Sequence, residues 1–325
     1  MSAARVILAA MGVAAVAVAT LGSAPATADS VAVTSTGVSM PGPRVLVTAG
    51  TALSTPTLVP ADVTASKVAT ATFDVTYTGF TPAAQASFQR AVDYWATRVT
   101  SSVPITIDAK FSPLGSGILG SAGPSSVWRD FAGAPKPGTW FVDAIANKRA
   151  GGQLNASPDI QAQFSSNFTN WSYGTGQAPA GTYDFQSVVT HELGHGLGFL
   201  GGGRVSSGVG TVLISGFPTG YDRFTETGAG KKLLSFPDST AALAAALQSG
   251  NVVLDQAGVR NANAGQPARL YAPSAWQQGS SYSHLDEATY GPGNANSLMT
   301  PAIGSGETIR SQGPIMKAIF KAIGW

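Results

Sequence analysis

The sequence contains no cysteine in 325 residues, and it contains only three histidines. The absence of thiols excludes disulfide scaffolds, zinc ribbons, iron–sulfur clusters and cysteine nucleophiles. Any transition-metal site in this chain must therefore be built from histidine, aspartate and glutamate side chains.

Charged residues are also few, at 11% of the chain, and they leave a formal net charge of +2. No block of like charge is present that could follow a phosphate backbone or an anionic lipid surface. We therefore expect no nucleic-acid partner. The hydrophobic content of 44% is enough for a real core, either in one large domain or in two small ones.

The longest apolar run lies near the start of the chain, over residues 6–21. Arg5 precedes the run and Ala26-Thr27-Ala28 follows it, which is the order of features in a secretory signal peptide. We expect residues 1–28 to be this signal and the mature protein to be secreted to an extracellular space. The run is short for a membrane span and no later run reaches about 18 residues, so no stable membrane anchor is expected.

Residues 29–68 are rich in valine, threonine, serine and proline and show no helical periodicity. One interpretation is a linker or a short pro-segment ahead of a domain over residues 69–325. The other is a pair of extra edge strands, because Val31, Val33 and residues 44–47 suit β structure. The sequence leaves both interpretations open.

Strand and helix patterns alternate after this segment. Residues 73–77 and 105–111 alternate like strands, and the residues between 81 and 99 repeat apolar side chains at helical spacing. This order predicts a β-α-β unit, right-handed if its strands are parallel. Residues 160–164 predict one more short strand.

The chemistry is concentrated in the run His191-Glu192-Leu193-Gly194-His195. Residues four apart lie on one face of a helix, so both imidazoles can bind one metal ion while Glu192 stays close enough to move a proton. Asp184 is a candidate N-cap of this helix. The alternative is a buried structural helix with hydrogen-bonded imidazoles.

That alternative must also explain Gly194, Gly196 and Gly198, because each glycine costs a helix roughly 1 kcal/mol relative to alanine. Close approach of the backbone or a forced turn explains these glycines better. The sequence therefore favours a metal site over a structural helix.

The extended pattern His191-Glu192-x-x-His195-x-x-Gly198 resembles the metzincin clan of zinc endopeptidases. The third histidine of that clan usually follows the glycine by three residues, but position 201 is glycine here. The remaining histidine is His284, and Leu298-Met299-Thr300-Pro301 and a short C-terminal helix follow it. This arrangement resembles the leishmanolysin-like branch, in which an insertion precedes the third histidine.

The resemblance is specific over residues 184–200 and 282–325 and only architectural over residues 70–183. It implies an α+β, zincin-like catalytic domain with a twisted mixed sheet, an active-site helix, an insertion subdomain over residues 201–283 and a C-terminal helix. A helix over residues 240–247 is expected within the insertion. The resemblance implies Zn²⁺ as cofactor and these roles: His191, His195 and His284 as ligands, Met299 as the Met-turn residue beneath the metal, and Gly198 as the turn after the helix.

The expected function is hydrolysis of a protein or peptide substrate. Zinc lowers the pKa of bound water to about 7 and polarises the carbonyl, and Glu192 is the candidate general base. The substrate would add as a strand at an exposed sheet edge, for which residues 160–164 are the candidate. Tyr282 and Tyr290 are candidate donors to the developing oxyanion, with core packing as their alternative.

Three alternatives remain at this point. His284 lies in a serine-rich loop and could be solvent-exposed, in which case Asp286 is the fallback ligand. A different zincin would use a downstream glutamate, Glu226 or Glu307, as third ligand. A secreted, non-catalytic binding or adhesion module would keep the zinc site for stability alone, although such a site has no use for Glu192.

Overall fold

A computed structural model describes residues 37–62 and 68–325. The expected signal peptide, residues 1–28, lies outside these residues. The strands are β1 (Val38–Pro41), β2 (Val45–Val59), β3 (Phe73–Thr78), β4 (Ile105–Ser112), β5 (Ile118–Pro124), β6 (Ser126–Arg129), β7 (Phe141–Val142), β8 (Ile160–Ser165), β9 (Trp171–Ser172), β10 (Tyr183–Asp184), β11 (Arg204–Ser206), β12 (Val209–Thr211), β13 (Thr225–Thr227), β14 (Val252–Leu254), β15 (Ala268–Leu270) and β16 (Ala302–Ile309). The helices are α1 (Pro82–Ala96), α2 (Asp143–Ala150), α3 (Phe185–Gly196), α4 (Ala241–Leu247), α5 (Ala257–Ala262), α6 (Glu287–Tyr290) and α7 (Gly313–Ile323). Among the described residues, none of these helices combines the length and the hydropathy that a bilayer crossing requires.

The architecture is mixed α and β around a mixed sheet, which confirms the fold class at this level. The main sheet has six strands in the order β16-β2-β5-β8-β4-β3. Strands β3, β4 and β8 run parallel to one another, and β5 is antiparallel to both β8 and β2. Strand β16 closes the other edge in parallel with β2.

The predicted β-α-β unit is present, with β3 and β4 paired in parallel and α1 between them in the chain. Thr81 caps α1 by accepting a hydrogen bond from Ala84 N at 3.2 Å, and Pro82 occupies its first turn. The indole of Trp95 is fully buried and donates to Thr190 O on α3 at 3.0 Å. Helix α1 therefore packs against α3 and fixes its position.

Helix α3 carries the HExxH motif and is buried along its whole length. At its start, Asp184 accepts from Ser187 N at 2.7 Å, so the predicted N-cap is confirmed. The same carboxylate forms a partly buried ion pair with Arg310, at 2.5 and 2.8 Å. Beyond the other end, Trp325 Nε1 donates to Leu197 O at 2.6 Å. Both ends of the helix are thus held by contacts distant in sequence.

The three glycines around the motif are explained by packing and by a turn. A Cβ at Gly194 would lie 2.6 Å from Met316 Cε, and a Cβ at Gly196 would lie 2.5 Å from Ile160 Cγ2. Gly198 has φ of +115°, a left-handed conformation that favours glycine, and the chain turns there after the helix. The helix can therefore approach α7 and β8 more closely than any side chain would allow.

Residues 38–59 are strands of the domain and not a linker. Strand β2 lies inside the main sheet, between β5 and β16, and β1 pairs with β6. The alternative of extra strands is confirmed for residues 45–47, but β2 is an interior strand rather than an edge. Val31 and Val33, on which that alternative also depended, lie outside the described residues. Strand β16, the partner of β2, lies more than 240 residues later in the chain, so local sequence pattern carries no information on this pairing.

The prediction that residues 160–164 form an exposed sheet edge is wrong. Residues 160–164 form a strand as predicted, but β8 lies between β4 and β5 and offers no free edge to a substrate. Its alternating apolar residues indicate one buried face, and a buried face occurs in edge and interior strands alike. In the described part of the chain, β3 and β16 are the edges of the main sheet.

The expected insertion, residues 201–283, belongs to the same compact unit as the rest of the described chain. It contains the β11–β12 pair, a second sheet in the order β13-β14-β15, and helices α4 and α5. Thr240 caps α4 by accepting from Leu243 N at 3.3 Å, so the helix predicted over residues 240–247 is confirmed.

The cap of α3 generates a stability prediction. Asp184→Ala removes the cap and the partly buried ion pair with Arg310, so we expect a loss of about 2–5 kcal/mol in the free energy of unfolding. Urea denaturation followed by circular dichroism measures this change. Asp93→Ala is the control, because Asp93 is exposed on α1, and we expect it to stay within about 0.5 kcal/mol of wild type. Equal losses in both variants would contradict the role assigned to Asp184.

Candidate metal centre

The structure brings the three histidines of the chain together. His191 and His195 lie one turn apart on α3, and His284 lies in the loop before α6. Their Nε2 atoms are 3.0 Å apart for His191 and His195, and 3.2 Å apart for each pair that includes His284. All three side chains are fully buried. This trio could hold one metal ion.

The opposite nitrogen of each ring is fixed by a backbone carbonyl. The Nδ1 atoms lie close to three oxygens: Leu298 O, 2.5 Å from His191; Phe199 O, 2.7 Å from His195; and Ser280 O, 2.7 Å from His284. Because a carbonyl oxygen only accepts, each Nδ1 must carry the proton, and each neutral ring then presents a lone pair at Nε2. Three lone pairs at this separation repel one another unless a cation lies among them.

The donor set fits a divalent transition metal. Three nitrogens bonded to one tetrahedral Zn²⁺ at about 2.0–2.1 Å lie roughly 3.3 Å from one another, close to the 3.0–3.2 Å separations here. Burial lowers the pKa of His191 to about 4. Burial and the neighbouring imidazoles lower the pKa of His195 and of His284 well below 6.5. The rings are therefore neutral, which is the form that binds metal.

Met299 lies against the turn of α3 that separates the two histidines. A Cβ built at Gly194 would lie 3.1 Å from Met299 Sδ, so the thioether packs directly on the helix backbone. Met299 is fully buried, and its carbonyl accepts from Leu285 N at 2.8 Å. Because Leu285 follows His284, the Met299 segment joins the helix to the loop that carries the third imidazole.

The loop of His284 is buried despite its serine-rich sequence, so a solvent-exposed His284 is excluded. Ser283 Oγ accepts from Gly201 N at 3.2 Å and ties the loop to the end of the turn after α3. A Cβ at Gly201 would lie 2.3 Å from Tyr282 Cε1, so position 201 has no room for a histidine. Asp286, the fallback ligand, is not a member of the histidine group.

Glu192 follows His191 on α3 and is fully buried. Its Oε1 accepts from Val47 N at 3.0 Å, whereas Oε2 has no hydrogen-bond partner. Burial raises the pKa of Glu192 to about 8, against the lowering effect of the Val47 and Ala122 N–H groups and of Arg44. A carboxyl group with a raised pKa and an unpartnered oxygen can both accept and release a proton near neutral pH.

The two tyrosines considered as oxyanion donors have other partners. Tyr282 OH donates to Asp222 Oδ1 at 2.8 Å. Tyr290 OH accepts from Asn263 Nδ2 at 3.1 Å and from Arg269 N at 3.3 Å. The hydroxyl hydrogen of Tyr282 is therefore committed to Asp222. The contacts of Tyr290 use its hydroxyl only as an acceptor, so its role as a donor stays a prediction.

The two glutamates considered as alternative ligands lie outside the histidine group. Glu226 pairs with Lys232 at 2.6 Å. Glu307 lies on β16, where its Oε2 accepts from Gly304 N at 3.0 Å and its Oε1 has no hydrogen-bond partner. Burial raises the pKa of Glu307 to about 7, with a smaller raising effect from Glu287.

Sequence reasoning missed the contact between Glu192 and Val47, which lies 145 residues earlier in the chain. The contact uses a backbone N–H group, so the identity of the side chain carries no signal for it. The available cue is the alternation of Val45 and Val47, which indicates a strand but does not identify its neighbours.

Comparisons with protein-family models, with curated proteins and with solved structures give no match to this chain.

The geometry predicts how metal content depends on His284. We expect wild type to bind one Zn²⁺ per chain and His284→Ala to bind it at least 100-fold more weakly, because loss of a ligand exceeds the 10–100-fold cost of losing a supporting hydrogen bond. Elemental analysis after desalting and competition with a chromophoric chelator measure both quantities. Asp286→Ala is the control and should keep its metal. Equal metal affinity in His284→Ala and wild type would exclude the third ligand.

Glu307 generates a pH prediction. Its pKa rises from 4.5 in the unfolded chain to about 7 in the fold, so the folded state binds the proton more tightly. Its contribution to stability is therefore full below pH 4.5 and is lost as pH rises to about 7, on the order of 3 kcal/mol in all. Glu307→Gln has no such titration. We expect the variant to gain stability relative to wild type between pH 4.5 and 7.5 in urea denaturation, and parallel pH profiles would contradict this.

Proposed function

We propose that this chain is a secreted, zinc-dependent endopeptidase of the metzincin type, with His191, His195 and His284 as ligands and Glu192 as general base. The observation that carries the proposal is the convergence of three imidazole lone pairs, together with the buried carboxyl group of Glu192, which lies between His191 and His195 on α3 and has an unpartnered oxygen. A structural zinc site normally has four protein ligands. The histidine group of the described residues has three.

Zn²⁺ held by three neutral imidazoles supplies a water of lowered pKa and a Lewis acid for the carbonyl of a peptide bond. The chain supplies the orientation of the ligands. The carbonyls behind His191, His195 and His284 fix the tautomer of each ring and increase the basicity of its Nε2. The buried surroundings exclude bulk water and strengthen every electrostatic interaction at the site.

Glu192 moves the proton in this proposal. Its Oε2 accepts a proton from the attacking water, and the same carboxyl group releases that proton to the amine nitrogen as the peptide C–N bond breaks. The N–H of Val47 on Oε1 leaves Oε2 as the oxygen that carries out the transfer.

Two further features support the metzincin type. The left-handed turn at Gly198 follows the helix, and Met299 packs on Gly194 as expected of a Met-turn residue beneath the metal. Secretion is proposed from the signal-peptide pattern of residues 1–28. The substrate class is a protein or peptide, since Glu192 matches the proton transfers that amide hydrolysis needs.

One observation favours the alternative, a secreted binding module with a structural zinc site. All three histidines and Glu192 are fully buried, so a substrate has no direct access in this conformation. The two functions differ in whether the metal-loaded protein ever hydrolyses a peptide bond.

A substitution at Glu192 separates them. We expect Glu192→Gln to keep its zinc and to lose at least 100-fold in kcat, since general acid–base catalysis contributes about 10²–10⁴-fold. Hydrolysis of casein and of a quenched fluorescent peptide library is measured for the mature chain, both intact and after limited proteolysis between β2 and β3. Glu226→Gln is the matched control and should keep wild-type activity. A zinc-loaded wild type that cleaves nothing in either form would support the binding module.

A further inference from the structure

The candidate metal centre has no opening for a peptide. His191, His195, His284 and Glu192 are all fully buried. A general base must come within hydrogen-bonding reach of the reacting groups, so a part of the chain that covers the site has to move before any substrate can bind. The contacts of Glu192 identify that part.

Strand β2 lies directly over the carboxyl group of Glu192. Val47 lies in the antiparallel ladder between β2 and β5. It is fully buried and donates its N–H to Glu192 Oε1 at 3.0 Å. Its pairing partner on β5 is Gly120, and a Cβ at Gly120 would lie 3.1 Å from Glu192 Cγ. The backbones of β2 and β5 together therefore cover the carboxyl group.

Strand β2 pairs with β5 in the way that an extended peptide would pair with a free sheet edge. Residues Val45, Leu46 and Val47 pair in antiparallel register with Ala122, Ser121 and Gly120. An extended peptide that binds to a sheet edge makes the same kind of backbone ladder. Without β2, strand β5 would be the edge of the remaining β3-β4-β8-β5 sheet. Gly120 would place this edge against the side chain of Glu192.

We propose that β2 is an internal occupant of the substrate cleft, which keeps the chain inactive until β2 is displaced from β5. This inference rests on the endopeptidase function proposed above and adds its regulation. The occupying segment is centred on Val47, whose N–H forms a hydrogen bond with the carboxyl group of Glu192. The reaction of a substrate would need this carboxyl group. Displacement leaves the edge of β5 free for an extended peptide.

Strand β2 buries a smaller share of its residues than the two strands that flank it. Of its fifteen residues, Val45, Val47 and Val59 are buried, whereas five of the seven residues of β5 and seven of the eight residues of β16 are buried. Its parallel register with β16 shifts twice, after Ile303 and after Ser305. Little apolar burial and an interrupted ladder lower the free energy needed to release a strand.

The chain between β2 and β3 is accessible to cleavage where it is described. Residues 60–62 are exposed, and Val68 is 72% exposed. A cut in this connection separates β2 from the rest of the catalytic unit without removing either piece.

The test uses the full mature chain with the recognition sequence of a site-specific endopeptidase inserted after Asp62. Two quantities are measured before and after complete cleavage, in buffer and in low urea: hydrolysis of a quenched peptide, and the rate at which a chelator removes zinc. Gel filtration reports whether the β2 fragment dissociates. We expect dissociation together with at least a tenfold rise in both rates.

The two readouts keep this proposal separate from the proposed function. A tenfold rise in zinc removal without hydrolysis would support the covering role of β2 and overturn the endopeptidase. Dissociation of β2 with no change in zinc removal would overturn the covering role. Retention of β2 until the whole chain unfolds would also overturn it, because β2 would then be an integral strand. The covering role of β2 would also be overturned if the intact chain cleaved peptides as fast as the cut chain.

A pair of substitutions tests the same point without cleavage. Val47→Asp places a charge at a buried position over Glu192, so we expect displacement of β2 and at least tenfold higher hydrolysis and zinc removal in the intact chain. Leu58→Asp is the matched control, since Leu58 lies on the same strand but is 47% exposed, and its rates should equal those of wild type. Equal rates in both folded variants would contradict the proposal. Circular dichroism checks folding, and the cleavage experiment decides the matter if Val47→Asp does not fold.

Discussion

The site depends on one electrostatic constraint, the mutual repulsion of three imidazole lone pairs. Each Nδ1 is committed to a carbonyl oxygen, on Leu298, Phe199 or Ser280. The rings cannot relieve the repulsion by changing tautomer without breaking those hydrogen bonds, and burial opposes their protonation. A cation bound among the three Nε2 atoms would satisfy all three lone pairs. The fold therefore keeps these rings in a geometry that could hold a metal ion.

This geometry is maintained by elements distant in sequence. Helix α3 is held at its start by the Asp184–Arg310 pair and beyond its end by Trp325, and Trp95 fixes its middle. The glycines let β8 and α7 approach the helix closely, so the imidazoles cannot shift with a loose helix. The loop of His284 is tied to the same helix through the Met299 segment. Rigidity of the donor set thus follows from packing of the whole domain.

The sequence could predict what is local. The four-residue spacing of His191 and His195, the cap at Asp184 and the β-α-β order all follow from short-range pattern, and the structure has each of them. The proximity of His284 required the count of histidines and a family resemblance, because 89 residues separate it from His195. The place of each strand in the sheet was not predictable, since apolar alternation reports a buried face and not the neighbouring strand. For this reason the sequence pattern predicts edge positions for β8 and β2, whereas both are interior strands of the main sheet.

The position of β2 meets two demands that the proposed function places on Glu192. A buried carboxyl group needs hydrogen-bond donors, because an unpartnered polar group in a dry interior is costly. A general base needs an oxygen that is not already engaged. Val47 N–H satisfies one oxygen and leaves the other unpartnered. In the proposed endopeptidase, an extended peptide on β5 would bring backbone N–H groups of its own to the same place, so exchange of β2 for substrate would replace one donor with another and leave the carboxyl group hydrogen-bonded.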